Sequence, residues 1–205
     1  MRSTLVIAEI TDDGPELATV TRDLPGFVRG ARYRCVENAD VWVFLELEEP
    51  RFARAAARRL AGGQRAVRSL HEVHRMARDA DGTPVQVPGS ARLETLGDYL
   101  MSVVLPVPPG RRDEWIDWYD TQHMPSVLSL DPGIEVGHRF VPLDDGQPDA
   151  HLVLYEFPSA DALAAFAGGG VPVAKKSAYT QRWQVANVRR TFRIVARVES
   201  SKSTH

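Results

Sequence analysis

The sequence predicts an α+β fold in which two tandem ferredoxin-like βαββαβ units pack their antiparallel sheets face to face into a barrel-like arrangement. Two internal matches support this prediction. Residues 25–33 (PGFVRGARY) match residues 132–140 (PGIEVGHRF), with Pro, Gly, Gly, Arg and an aromatic residue in common. Residues 39–50 match residues 149–160 at nearly the same offset. Self-similarity at a long, nearly constant offset indicates that one structural unit occurs twice.

Each copy has the same order of predicted elements. Alternating β-branched and aromatic residues predict the strands, and an Ala-rich segment closed by glycines predicts a helix. The predicted elements are strands at 4–10 and 99–105, 27–36 and 134–141, 41–48 and 151–157, helices at 50–61 and 159–167, and last strands at 66–76 and 188–198. The last strands are matched by aligning 66–78 with 187–199. Such units carry helices on one sheet face only, so we expect the two open faces to cover each other around a cavity.

The repeat also predicts the domain organisation. We expect a first unit at 1–78 with a degenerate first helix, and a second unit at 99–199. The segment 79–98 is polar and rich in Pro and Gly, which is typical of a linker. Residues 200–205 are expected to form a disordered tail.

Composition excludes several classes of protein. The chain has 205 residues, 43% of them hydrophobic, and a net charge of -2. It therefore lacks the positive charge of a nucleic-acid or membrane-surface binder. One cysteine rules out an internal disulfide and a Cys-based zinc site, and the short apolar runs predict no membrane span. The sequence has no signal-peptide pattern, which predicts a cytoplasmic location. Few of the basic residues are Lys, which favours a high-GC bacterial source.

The second copy contains an aromatic segment that the first copy lacks. Trp115, Trp118 and Tyr119 fall on one stripe of a predicted helix. Pro125 is expected to end or kink this helix near His123. Asp120 precedes His123 by three residues, a spacing at which a carboxylate can orient an imidazole and stabilise its protonated form. His123 is thus a candidate general base, and the alternative is that it caps the helix and packs on Tyr119.

Further candidates lie on the strands and near the end of the second unit. His138 and Phe140 share one face of a predicted strand, and Arg139 lies on the other. His138 could point into the cavity or be a structural histidine. Arg139 matches Arg32 of the first copy, so it could bind a carboxylate or enolate, or form a structural salt bridge. The remaining predicted cavity residues are Tyr155 and Trp183. No group of residues has the spacing of a metal site.

The pattern W-x-x-W-Y-D-x-x-H-x-P over 115–125, followed by D-P-G and G-H-R-F, resembles the EthD-like branch of the dimeric α/β-barrel superfamily. That family includes polyketide cyclases and dehydratases, cofactor-free monooxygenases, lactone isomerases and haem-dependent enzymes. The resemblance implies a ligand between the open sheet face and the helices, with His123 as acid or base. The first copy lacks the motif, so one site per chain is expected.

Two classes of function follow. One is a cofactor-independent enzyme that acts on a hydrophobic aromatic or polyketide-like molecule, as a cyclase, dehydratase, decarboxylase or isomerase. His123, oriented by Asp120, would transfer a proton next to a carbonyl, and Arg139 or His138 would stabilise the enolate. A cofactor-free or haem-dependent monooxygenase is a variant of this hypothesis. The other class is a non-catalytic binding or scaffold protein. In either class the expected partner is a small hydrophobic molecule, and the chain would be a monomer with an internal pseudo-dimer or a homodimer.

Overall fold

The computed structural model describes residues 4–10, 16–38, 40–60, 64–88, 96–107, 110–143, 150–167 and 188–200. Its strands are β1 (Thr4–Ile10), β2 (Phe27–Cys35), β3 (Val41–Leu47), β4 (Gln64–Arg78), β5 (Pro84–Gln86), β6 (Tyr99–Pro106), β7 (Val136–Pro142), β8 (Ala150–Phe157) and β9 (Val188–Glu199). Its α-helices are α1 (Leu17–Thr21), α2 (Ala53–Leu60), α3 (Arg112–Trp118), α4 (Met124–Leu130) and α5 (Ala160–Ala167).

Eight antiparallel strands close into a barrel in the order β1-β3-β2-β9-β6-β8-β7-β4, and β4 pairs back with β1. The two long last strands carry out the closure. The beginning of β4 pairs with β1 of its own unit, and its end pairs with β7 of the other unit. In the same way, β9 pairs with β6 and then with β2. The predicted fold class, two βαββαβ units in a barrel-like arrangement, is confirmed.

The strand register corrects one detail of the sequence alignment. Leu70 of β4 lies opposite Pro142, and Phe192 of β9 lies opposite Cys35, the residue that matches Pro142 in the repeat. Leu70 therefore corresponds to Phe192, whereas the sequence match had aligned it with Thr191. A slip of one residue exchanges the two faces of a strand, so this correction decides which side chains point into the barrel. The segment predicted as a linker also contains a strand, since β5 pairs with the end of β4.

The barrel separates three groups of buried side chains. Its interior is filled by aromatic and aliphatic residues, among them Tyr33, Trp42, Phe44, Phe140 and Phe192. One layer lies outside the first half of the barrel, under α1 and α2, and another lies outside the second half, under α3 to α5. Among the described residues, no helix is both long and apolar enough to cross a membrane.

The glycine repeated in both copies is explained by close helix packing. A Cβ atom on Gly30 would lie 3.1 Å from Leu17, and a Cβ atom on Gly137 would lie 3.2 Å from Met124. These distances leave little room for a side chain. A helix on each half thus packs closely against its sheet at the second glycine of the repeated Pro-Gly segment.

Candidate functional site

The aromatic segment forms one extended helical stretch that covers the outer face of the second half. A π-helical turn at Tyr119–His123 joins α3 to α4. The Met124 N–H donates to the Tyr119 carbonyl, five residues earlier. Pro125 has no N–H to donate, and the wider turn accommodates it without ending the helix. The helix was predicted to end or kink near His123. The π-helical turn interrupts the α-helix at this point, and helical structure resumes to Leu130.

An aromatic wall lines the inner side of this helix. Trp115, Trp118 and Tyr119 are buried, and the rings of Trp115 and Tyr119 stack with centroids 4.8 Å apart. The hydroxyl groups of Tyr119 and Tyr155 lie 3.0 Å apart in a buried hydrogen bond. Burial raises the pKa of Tyr155 to about 12, so both hydroxyls remain protonated at neutral pH. Four of the predicted site residues therefore meet on one sheet face.

His123 belongs to this aromatic wall. It is partly buried, and its ring lies 4.8 Å from the Trp118 ring and 4.9 Å from the Tyr119 ring. Burial, and then the positive charge of Arg189 on β9, lower the pKa of His123 to about 4. The imidazole is therefore neutral at physiological pH. An adjacent carboxylate would instead raise the pKa of His123.

Asp120 has other partners, and the prediction that it orients His123 is wrong. Its carboxylate forms a bidentate pair with Arg139, with 2.7 Å between Nε and Oδ1. It also lies 3.6 Å from Nδ1 of His74. Arg139 is only 3% exposed, and a buried guanidinium requires a counter-ion. The Asp120 side chain accordingly turns toward the sheet.

The Arg139 guanidinium also reaches His151, with 3.2 Å between Nη1 and Nδ1. Burial, followed by the charge of Arg139, lowers the pKa of His151 to about 3. Burial likewise lowers the pKa of His74, against the raising effect of Asp120. Arg139 is thus the cation of a buried polar cluster beneath the helix, and its donors are occupied by protein groups.

His138 and Phe140 lie on the other side of the sheet, inside the barrel. The two rings stack 5.9 Å apart. His138 is fully buried and hydrogen-bonds through Nδ1 to Glu72 and through Nε2 to Glu156. Burial alone would lower the pKa of His138, but these two carboxylates outweigh burial and raise it to about 9. Placing His138 and Phe140 in one site with His123 was wrong, because successive side chains of a strand face opposite sides.

Sequence analysis did not select five residues that these clusters contain: Arg189, Glu72, Glu156, His74 and His151. Arg189 acts electrostatically on both His123 and Tyr155. Glu72 and Glu156 hold His138 inside the barrel. The alternation of strand residues places charged side chains on inward faces, and that was the signal available for the two glutamates. Trp183 lies outside the described residues.

The histidines of the outer face are surrounded by protein groups. On the outer face, the His123 ring packs between two aromatic rings, and the His151 ring packs edge-on against Trp115 at 5.3 Å. His74 and His151 each direct Nδ1 at the Asp120–Arg139 pair. Within the described part of the chain, no group of three or more His, Cys, Asp or Glu residues could hold a metal ion.

Comparison with solved structures identifies the fold. An anthrone oxidase-like protein superposes with a TM-score of 0.67 at 12% identity, covering 98% of this chain and 95% of that one. A ferredoxin-fold protein from Listeria monocytogenes, related to antibiotic biosynthesis monooxygenases, gives 0.53 at 9% identity, with 95% of each chain covered. A major regulator of staphylococcal pathogenesis gives 0.54 at 8% identity, covering 94% and 99%.

No protein-family model and no curated protein sequence matches the chain. The structural similarity is nevertheless spread over nearly the whole chain, and the chain has the dimeric α/β-barrel fold. Here a single polypeptide supplies both halves of the barrel. Proteins with this fold include enzymes and a regulator by their descriptions, so the fold does not specify an activity.

Proposed function

We propose that this protein is a cofactor-independent enzyme that moves a proton at a carbon next to a carbonyl group of a hydrophobic aromatic substrate. The protonation state of His123 supports this proposal most directly. The ring is partly exposed at a π-helical turn, a feature that recurs at functional sites. With a pKa of about 4, it is neutral at pH 7 and can accept a proton from a bound molecule.

The low pKa of His123 also restricts the class of substrate. A weak base removes a proton at a useful rate only from an acidified carbon, because proton transfer follows the difference in pKa. An aryl ketone or a related polyketide meets this condition, since its carbanion is delocalised over an aromatic ring and a carbonyl. The Trp118 and Tyr119 rings beside His123 give the partly exposed imidazole an aromatic, apolar surrounding that suits such a substrate.

Arg189 is the proposed partner for the enolate oxygen. Its positive charge acts on both His123 and Tyr155 and lowers the pKa of each. A cation placed where negative charge develops stabilises the transition state. Arg139 and His138 are not available for this role, because Arg139 is held by Asp120 and His138 is inside the barrel.

The proposed step conserves protons and electrons. The imidazole of His123 takes the proton, and the electron pair of the C–H bond becomes the enolate that Arg189 stabilises. Return of the proton to a different carbon gives isomerisation. Transfer of the proton to a β-hydroxyl group, which leaves as water, gives dehydration. The low pKa makes the imidazolium a strong acid, which favours this second half of the reaction.

Oxygenation is the second candidate function. It is favoured by the similarity to an anthrone oxidase-like protein and to a protein related to monooxygenases. The same carbanion would pass its electrons to molecular oxygen, and a methylene group and O2 would become a carbonyl group and water. Both candidates share the proton abstraction at His123 and differ in the fate of the carbanion.

The test is proton exchange in D2O with anthrone as the probe, followed by NMR under nitrogen. We expect the intact protein to exchange the methylene protons faster than buffer does. His123→Gln should lower the protein-dependent rate by about 100-fold or more. His71→Gln is the control, because His71 lies on β4 away from the aromatic wall. Admitting air and measuring oxygen uptake separates oxygenation from proton transfer alone.

The pH profile provides an independent check. Because His123 is already deprotonated above about pH 5, the exchange rate per protein should be level from pH 6 to pH 8 and fall only toward pH 4. A rate no greater than that of buffer would support the non-catalytic binding protein instead, and full exchange by His123→Gln would show that His123 is not the base.

A further inference from the structure

A cavity of about 140 Å³ lies inside one end of the barrel, separate from the His123 face. Eight residues line it, and they are four directly opposed cross-strand pairs: Glu9 with Trp42, Ile7 with Arg68, Ser102 with Arg190, and Val104 with Leu152. The cavity is therefore bounded by a ring of neighbouring positions on six strands of the barrel. Val153 and Tyr155, next to Leu152 on β8, face the opposite side.

Two buried polar groups in this ring have no partner among the described residues. Ser102 is 1% exposed, and its hydroxyl group makes no hydrogen bond there. The same holds for the indole Nε1 of Trp42, which is 6% exposed. A buried donor without a partner costs about 1–3 kcal/mol, so such groups occur where a ligand or water completes them.

The two arginines that line the cavity differ in how their charge is balanced. Arg190 is 2.9 Å from Glu9 and 3.7 Å from Asp40, so its charge is balanced within the protein. Arg68 is partly buried, and it forms no hydrogen bond or ion pair with any residue in the described ranges. Among the described residues, the Arg68 guanidinium at the cavity thus has no counter-ion, whereas that of Arg190 has two.

The remaining walls are aliphatic. Ile7, Val104 and Leu152 give the cavity an apolar side. The two halves of the barrel carry different residues at corresponding positions. Trp42 of the first half corresponds to Leu152 of the second half, and Ile7 corresponds to Ser102. The ring therefore has hydrogen-bond donors and apolar surface together, which suits one ligand with a polar end and an apolar body.

We propose that this cavity binds a small organic carboxylate whose apolar part is no larger than a six-membered ring. A cavity of about 150 Å³ is known to hold benzene, which sets the size. The carboxylate pairs with Arg68 and accepts hydrogen bonds from the Trp42 indole and the Ser102 hydroxyl. Ile7, Val104 and Leu152 contact the apolar body. This site lies on the other side of the sheet from His123 and does not depend on the proposed enzyme activity.

The test is a titration of the full chain with benzoate, followed by the ¹H–¹⁵N signals of the indole groups. The Trp42 signal is assigned with Trp42→Phe. We expect saturable binding with one equivalent, a shift of the Trp42 signal, and no shift of the Trp115 and Trp118 signals. Arg68→Gln should weaken binding by about tenfold or more, because a hydrogen bond to a charged group is lost. Arg193→Gln, an exposed change on β9, is the matched control and should bind as the parent does.

Two further measurements keep the proposal open to refutation. Toluene, which has the same ring without the carboxylate, should bind at least tenfold more weakly than benzoate. Ser102→Leu should fill the cavity and abolish binding, while circular dichroism checks that the fold is retained, and Ser102→Ala serves if it is not. The proposal is overturned by an absence of saturable benzoate binding, by toluene binding equally well, or by shifts confined to Trp115 and Trp118. That last result would place the ligand at the His123 face.

Discussion

The outer faces of the two repeats have the same backbone and different chemistry. In the first half, β3 presents Val41 and Leu45 to the helices, and the layer is apolar and mostly aliphatic. At the corresponding positions of the second half, β8 presents His151 and Tyr155. The covering helix also differs, because the five-residue α1 stands where α3, the π-helical turn and α4 lie in the second half.

On the inner face of the barrel, too, the second half has a polar residue where the first half has an apolar one. The second half carries His138 at the position that Ala31 occupies in the first half. The two halves thus keep the same strand pattern although they differ in polarity at these positions. The single candidate site per chain follows from this asymmetry.

The largest expected effect concerns His138. His138→Ala copies the residue of the first half but leaves Glu72 and Glu156 buried without their cation. Breaking a buried ion pair costs about 3–5 kcal/mol, so we expect a loss of that size in the free energy of unfolding measured with urea. His71→Ala is the histidine control. A loss below about 1 kcal/mol would mean that water reaches the two glutamates.

The pH dependence of stability is a second test of the contribution of His138. The pKa of His138 is about 9 in the folded protein and about 6.5 in the unfolded chain. The folded state therefore binds more protons between these values, and this stabilisation is complete below about pH 6.5 and is lost as pH rises through 9. We expect the free energy of unfolding to fall by on the order of 3 kcal/mol from pH 6 to pH 10. In His138→Ala the decline over this range should be reduced by about that amount.

The tyrosine pair tests the outer face of the second half. Tyr155→Phe leaves the Tyr119 hydroxyl buried without its partner, so we expect a loss of about 1–2 kcal/mol in urea unfolding. Tyr119→Phe should cost a similar amount. The double variant should lose less than the sum of the two, because no orphaned hydroxyl remains. Additive losses would show that the two hydroxyls do not depend on each other.

The smallest expected effect compares how strongly Arg189 and Asp120 influence the pKa of His123. Arg189→Gln removes an exposed positive charge and should raise the pKa of His123 from about 4, as followed by histidine NMR titration. Burial is the larger cause of the lowered pKa, so most of the shift should remain. Asp120→Asn should change this pKa less, because Asp120 is paired with Arg139. A larger response to Asp120→Asn would restore the predicted pairing of Asp120 with His123.

Much of the fold was predictable because repetition and alternation are local properties of the sequence. The Pro-Gly repeat and the strand periods identified the βαββαβ units and the alternation of faces within each strand. The aromatic stripe of Trp115, Trp118 and Tyr119 was likewise correct, since helical spacing determines it. The exact match of β4 with β9 was not predictable, because the two strands share too few residues to exclude a slip of one position.

The amino-acid sequence alone determined that two similar units are present and that only the second carries the motif around His123. The tertiary structure decided which charged groups meet. Asp120 pairs with Arg139 on a strand. Glu72 and Glu156 lie on two different strands of the barrel and both hydrogen-bond to His138. Such pairings depend on how far a helix is rotated over its sheet and on how the barrel closes. The spacing of nearby residues in the sequence determines neither the rotation nor the closure.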